Sequence, residues 1–97
     1  MSWYVRSEYA FTSVEEKSFI SMVENAVRRH GTNRGAVAGE VRDECQKEWP
    51  QSGRAWVVLY DTNAEFGIAL GDRDKKIFLS KSSTMDREGD HVYAARV

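Results

Sequence analysis

The residues with the greatest chemical reach are one cysteine, Cys45, and two histidines, His30 and His91. A thiol activated by an imidazole is the simplest nucleophile such a set could build. Cys45, however, falls in step with Val37 and Val41, every fourth residue, on the apolar stripe of an expected helix. Free cysteine is among the most buried residue types, so a structural thiol is favoured. His30 closes an expected helix and His91 opens an expected strand, positions that account for both without catalysis. Gly71-Asp72-Arg73-Asp74 lacks the further ligands of a calcium loop, and no spacing of His, Cys, Asp and Glu matches a zinc site. Gly31, Gly35 and Gly39 are not followed by the Lys-Ser/Thr pair of a phosphate-binding loop. We therefore expect no enzyme, no metal and no cofactor.

The elements that would position these residues can be read from the pattern. Trp3, Val5, Tyr9 and Phe11 alternate with Arg6 and Glu8, as in a half-buried strand. Ser13 and Glu16 have the spacing of a capping box that opens a helix. That helix gathers Phe19, Ile20, Val23, Ala26, Val27 and His30 on one face and ends at Gly31, with Arg28, Arg29 and His30 in its last turn. Thr32 or Asn33 caps a second helix, whose stripe is Val37, Ala38, Val41 and Cys45 and which stops at Trp49-Pro50. The short gap between the helices predicts that they pack together.

Ala55 to Tyr60 is a continuous apolar and aromatic run, which predicts a strand buried on both faces. Asp61 to Glu65 reads as a connector, Phe66 to Leu70 as a strand, Gly71 to Asp74 as a turn and Lys75 to Ser80 as a strand. Ser82 to Asp90 reads as a mobile loop before a closing strand, His91 to Val97. Helices placed early and strands placed late predict an α+β fold: an N-terminal strand, two packed helices, then four antiparallel strands.

Composition narrows the class. The 97 residues are expected to form a single domain, residues 1–97, with 41% apolar residues to supply one core. Fourteen basic residues stand against 15 acidic ones, so no long-range field draws in nucleic acid or an anionic membrane. A single cysteine cannot form an internal disulfide, which fits a reducing compartment. Neither a signal peptide nor a membrane span is visible, so the expectation is a cytoplasmic protein, with cytosol and nucleus undistinguished.

The order of elements resembles that of the small cytoplasmic dynein light chains, dimeric hubs for protein interaction. Their second helix reads I-A-A-x-I-K-K-x-F-D-K-x-Y and is followed by W-x-C-I-V-G and F-G-S strands. The matching residues here are Val37 to Trp49, Trp56 to Tyr60 and Phe66-Gly67-Ile68. The resemblance implies a homodimer joined through Val57, Leu59, Phe66 and Ile68. It implies that the strand starting at Phe66 is exchanged across the dimer and offers its edge to extended, disordered segments of partner proteins. The peptide-pairing positions become Gly67, Ile68, Ala69, Leu70, Gly71 and Asp72, with Arg34 and Gly35 at the helix start and Ile77, Leu79 and Lys81 on the groove floor. Ala69, Gly71 and Asp72 replace the family's tyrosine, threonine and histidine, which predicts a peptide or dedicated partner other than the family's usual threonine-glutamine-threonine motif. A dynein intermediate chain or another scaffold is the implied class of partner, in the cytoplasm and at the cytoskeleton.

The residues leave one alternative open, a small nucleic-acid adaptor. Arg28, Arg29, Arg34, Arg42, Lys75 and Lys76 would supply charge, and Trp3, Tyr4 and Tyr60 stacking surfaces. Interleaving with Glu40, Asp43, Glu44 and Glu48 argues instead for a solvated helix face.

Overall fold

A computed structural model describes residues 3–63, 72–81 and 88–97, apart from the side chains of Asn63 and Glu88. The expected Phe66–Leu70 strand and the loop residues 82–87 lie outside them. The order is β1 (Tyr4–Tyr9), α1 (Ser13–His30), α2 (Arg34–Glu48), β2 (Trp56–Asn63), β3 (Lys75–Ser80) and β4 (Glu88–Arg96). All described strand pairs are antiparallel, in a four-stranded sheet of order β1-β3-β4-β2, an α+β fold as the pattern predicted.

The cap of helix α1 lies one residue earlier than expected. Thr12, not Ser13, is the N-cap: its Oγ1 accepts the Glu15 N–H at 3.1 Å, and the Glu15 carboxylate accepts the Thr12 N–H at 3.0 Å. Both Thr12/Glu15 and Ser13/Glu16 have the required spacing. The first is selected because Lys75 on β3 also binds Glu15, fixing it over the sheet. Helix α1 ends as expected at Gly31, whose φ of 59° suits a residue without Cβ and whose N–H donates to the Val27 carbonyl. Asn33 caps α2 by accepting the Ala36 N–H, and Trp49, forced out of the helix by Pro50, closes it.

The core lies between the two helices and one face of the sheet. Phe19, Val23 and Ala26 of α1 and Val37, Val41 and Cys45 of α2 are fully buried against Ile77, Leu79, Val92 and Ala94. Phe11, Trp49 and Trp56 form an aromatic cluster at one end, with Phe11 and Trp49 centroids 5.3 Å apart. The Trp49 carbonyl accepts hydrogen bonds from Trp56 Nε1 at 3.1 Å and Arg96 Nη1 at 3.0 Å, tying the end of α2 to both β2 and β4.

Three strand expectations are corrected. The register of β1 shifts between Val5 and Ser7, so the simple alternation fails and Tyr9 is exposed while Trp3 and Phe11 stay buried. Strand β2 is not buried on both faces. It sits at the sheet edge, and the described helices cover only one side, leaving Val57 and Leu59 partly exposed. Pairing of β2 with β4 also continues through Asp61 to Asn63, opposite Glu88, into residues expected to be a connector and a loop.

Candidate strand-addition site

The open side of β2 follows from its pairing with β4. Ala55 and Val97 exchange both backbone hydrogen bonds, at 3.0 and 2.8 Å. Antiparallel pairs alternate, so Val57 and Leu59 bond toward β4 in the same way. Trp56, Val58 and Tyr60 therefore aim their N–H and C=O groups away from the sheet. No strand among the described residues lies on that side. The run from Trp56 to Tyr60 carries no charge to discourage pairing. The opposite edge, β1, is protected by its register shift at Arg6 and by the charges of Arg6 and Glu8.

Side chains along β2 divide cleanly. Trp56, Val58 and Tyr60 pack under the helices, and Val57 and Leu59 occupy the face without a helix. Helix α2 starts beside the far part of this strand, where the Arg34 guanidinium lies 5.8 Å over the Tyr60 ring. Gly35 follows in the same helical turn. Asp72 is exposed and is held at 2.7 Å by Arg54, just before the other end of β2.

The structure thus brings Arg34, Gly35, Val57 and Leu59 to one strand and its neighbouring helix, with Asp72 at the strand's start. Ile77 and Leu79 do not join them. Both are fully buried and face the helices, because their alternation on β3 directs them into the core rather than onto a groove floor. Phe66, Gly67, Ile68, Ala69, Leu70 and Gly71 lie outside the described residues.

The other chemical candidates are occupied structurally. Burial pushes the Cys45 thiol up to about 12. His30 Nε2 lies 2.9 Å from Glu40. His91 is buried, stacks on Phe78 and places Nδ1 2.7 Å from the Gly89 carbonyl. Arg29 pairs with Glu40, Arg28 bonds Asn25 and Arg42 pairs with Asp43, so much of the arginine-rich surface is compensated. Among the described residues, no group of His, Cys, Asp and Glu could hold a metal ion, and no helix is long and apolar enough to cross a membrane.

Lys75 was missed as anything but surface charge. Its Nζ is 2.7 Å from the Ala10 carbonyl, 2.9 Å from Glu15 and 4.3 Å above the Phe11 ring. The signal was present: Lys75 is in phase with Ile77 and Leu79 along β3. No protein-family model and no curated protein matches the chain.

Proposed function

We propose that this protein is a non-catalytic interaction module that dimerises and takes up extended segments of partner proteins by strand addition, in the manner of the dynein light chains it resembles. The observation that carries the reading is the uncharged edge of β2, which no other described strand covers, with three outward backbone pairs at Trp56, Val58 and Tyr60. An added strand gains affinity from those backbone groups and specificity from alternate side chains. The resemblance implies that residues 66–71 of the second copy supply the added strand of a homodimer and that a partner peptide pairs with it in turn. The chain leaves β2 at Asn63 and is next described at Asp72, bound to Arg54 beside the start of β2. Val57 and Leu59 supply the apolar contact on the uncovered face, and a two-fold arrangement hides both open edges at once. A cytoplasmic scaffold or motor complex is the setting the resemblance implies.

Val58→Pro tests the reading. Proline removes one outward N–H yet is tolerated on a sheet edge. The folded variant should sediment as a monomer and lose the partners that the unaltered chain captures. Leu59→Lys should also give a folded monomer. A dimer of unchanged stability in both variants, or a monomer in the unaltered chain at roughly tens of micromolar, would overturn it.

A further inference from the structure

A cleft of about 220 Å³ opens where the two helices meet the sheet, lined by Val27, Gly31, Thr32, Arg34, Tyr60, Lys81 and Asp90. Two cations and one carboxylate face it. The carboxylate is already engaged: Asp90 Oδ2 accepts the Tyr60 hydroxyl at 2.8 Å. Burial and that hydrogen bond raise the Tyr60 phenol, which keeps its proton and remains the donor. Neither cation is within hydrogen-bonding distance of Asp90. Arg34 Nη2 stands 3.9 Å from Oδ1 and Lys81 Nζ stands 3.6 Å from Oδ2. Both keep access to solvent, with side-chain exposures of 45% and 31%. One negative charge therefore serves two positive ones, and their N–H donors remain available in a walled space. Arg34 is also oriented in advance, since its guanidinium lies over the Tyr60 ring.

We infer that this cleft is a binding site for a compact anionic group, a carboxylate or a phosphoryl group, held between Arg34 and Lys81 with the Thr32 hydroxyl at its rim. A guanidinium fork and a mobile ammonium together suit a planar or tetrahedral oxyanion. Asp90 limits the site to one such group by repelling a second. The Tyr60–Asp90 bond keeps the floor fixed while Arg34 and Lys81 close on the ligand. The site shares Arg34 and Tyr60 with the surroundings of the β2 edge, but its anion contacts come from side chains of one chain and need no added strand.

The test is a backbone amide NMR titration of the full chain with inorganic phosphate and, separately, acetate, each at constant ionic strength made up with chloride. Saturable shifts should centre on Thr32, Arg34, Gly35 and Lys81. Arg34→Gln and Lys81→Gln should each weaken the affinity by roughly tenfold, the loss of one charge-assisted contact. Lys47→Gln, an exposed residue elsewhere on α2, should leave it unchanged. Saturation by phosphate alone would assign a phosphoryl group; saturation by both would assign oxyanions including carboxylates. No saturable shift with either anion, or shifts that survive in the folded Arg34→Gln/Lys81→Gln double variant, would overturn the proposal. The Val58→Pro variant should bind the anion like the unaltered chain, which separates failure here from failure of strand addition.

Discussion

Lys75 on β3 places its ammonium 2.9 Å from the carboxylate of Glu15, which simultaneously caps α1. A single carboxylate thus serves a helix terminus and a buried cation. The two partners differ in burial, with side-chain exposures of 7% for Lys75 and 27% for Glu15. Removing either one should therefore have unequal consequences.

Glu15→Gln removes the negative charge beside a buried ammonium that keeps its Ala10 carbonyl, and should destabilise the fold by about 1–3 kcal/mol. Lys75→Met leaves a carboxylate that still reaches solvent and still accepts the Thr12 N–H. Methionine also fills the space against Phe11 and Trp49, so its cost should be the smaller. Urea denaturation of both variants measures the order, and a larger loss for Lys75→Met would show that the pair is not limited by the buried lysine.

Acid should erase this difference. The Thr12 N–H first, and then Lys75, hold the Glu15 carboxyl below its ordinary value of 4.5. The folded state then binds that proton more weakly than the unfolded state. Its stabilisation is complete above 4.5 and is lost as pH falls through the lowered folded value. The stability gap between the unaltered chain and Glu15→Gln should shrink over that window, read from urea midpoints at successive pH values. Glu40, held down chiefly by Arg29, and Asp74, held down chiefly by Arg96, lose stabilisation in the same direction.

Ala10 should be replaceable with profit to stability. Its φ is 64°, in the left-handed region, where a side chain costs about 1–2 kcal/mol. Glycine removes that strain but gains freedom when unfolded, an opposing term of about 0.5–1 kcal/mol. Ala10→Gly should raise stability by a net of up to about 1.5 kcal/mol, with the Lys75 bond to its carbonyl kept. A lower denaturation midpoint would mean that this backbone is not strained.

Cys45 should resist alkylation in the folded chain. It has no exposed surface, and burial, with Glu44 adding to it, pushes its thiol up to about 12. Iodoacetamide at mildly alkaline pH should label it only after denaturant is added. Rapid labelling of the native chain would show that α2 opens locally at its C-terminal half.

Much of the fold could be read from spacing because the helices are stopped by local chemistry. Gly31 and Trp49-Pro50 end them through their own backbones, and Val37, Val41 and Cys45 mark the buried stripe. The choice of Thr12 over Ser13 was not local, since it depended on Lys75, distant in sequence. The exposure of Tyr9 depended on a register shift at Arg6 that arises in pairing with β3. The apolar run at Ala55–Tyr60 gave the strand but not its place at the edge, because an uncharged strand suits a sheet centre and an interface equally. Arg34 and Gly35 came to the candidate site from the family likeness, and the structure places them at the start of α2 beside Tyr60. Ile77 and Leu79 were misplaced because their side was fixed by phase with the core, not by the family likeness. The cleft between Arg34 and Lys81 draws on both helices and the turn between them, β2, β4 and the residue after β3, and leaves no contiguous signature.

The pairing of β1 with β3 also sets an order of events in the cell. Tyr4 meets Ser80, and the two segments are separated by both helices and β2. During synthesis β1 therefore leaves the ribosome long before its partner exists, and Trp3 and Phe11 wait without the surface that buries them. The helix pair can form early from contacts close in sequence, but the sheet beneath it cannot close until β3 and β4 have emerged. Interrupted chains lacking those strands would keep the aromatic cluster open to chaperones and proteases. Closure of the sheet consequently waits for the last two described strands, which bring the earliest described one into register.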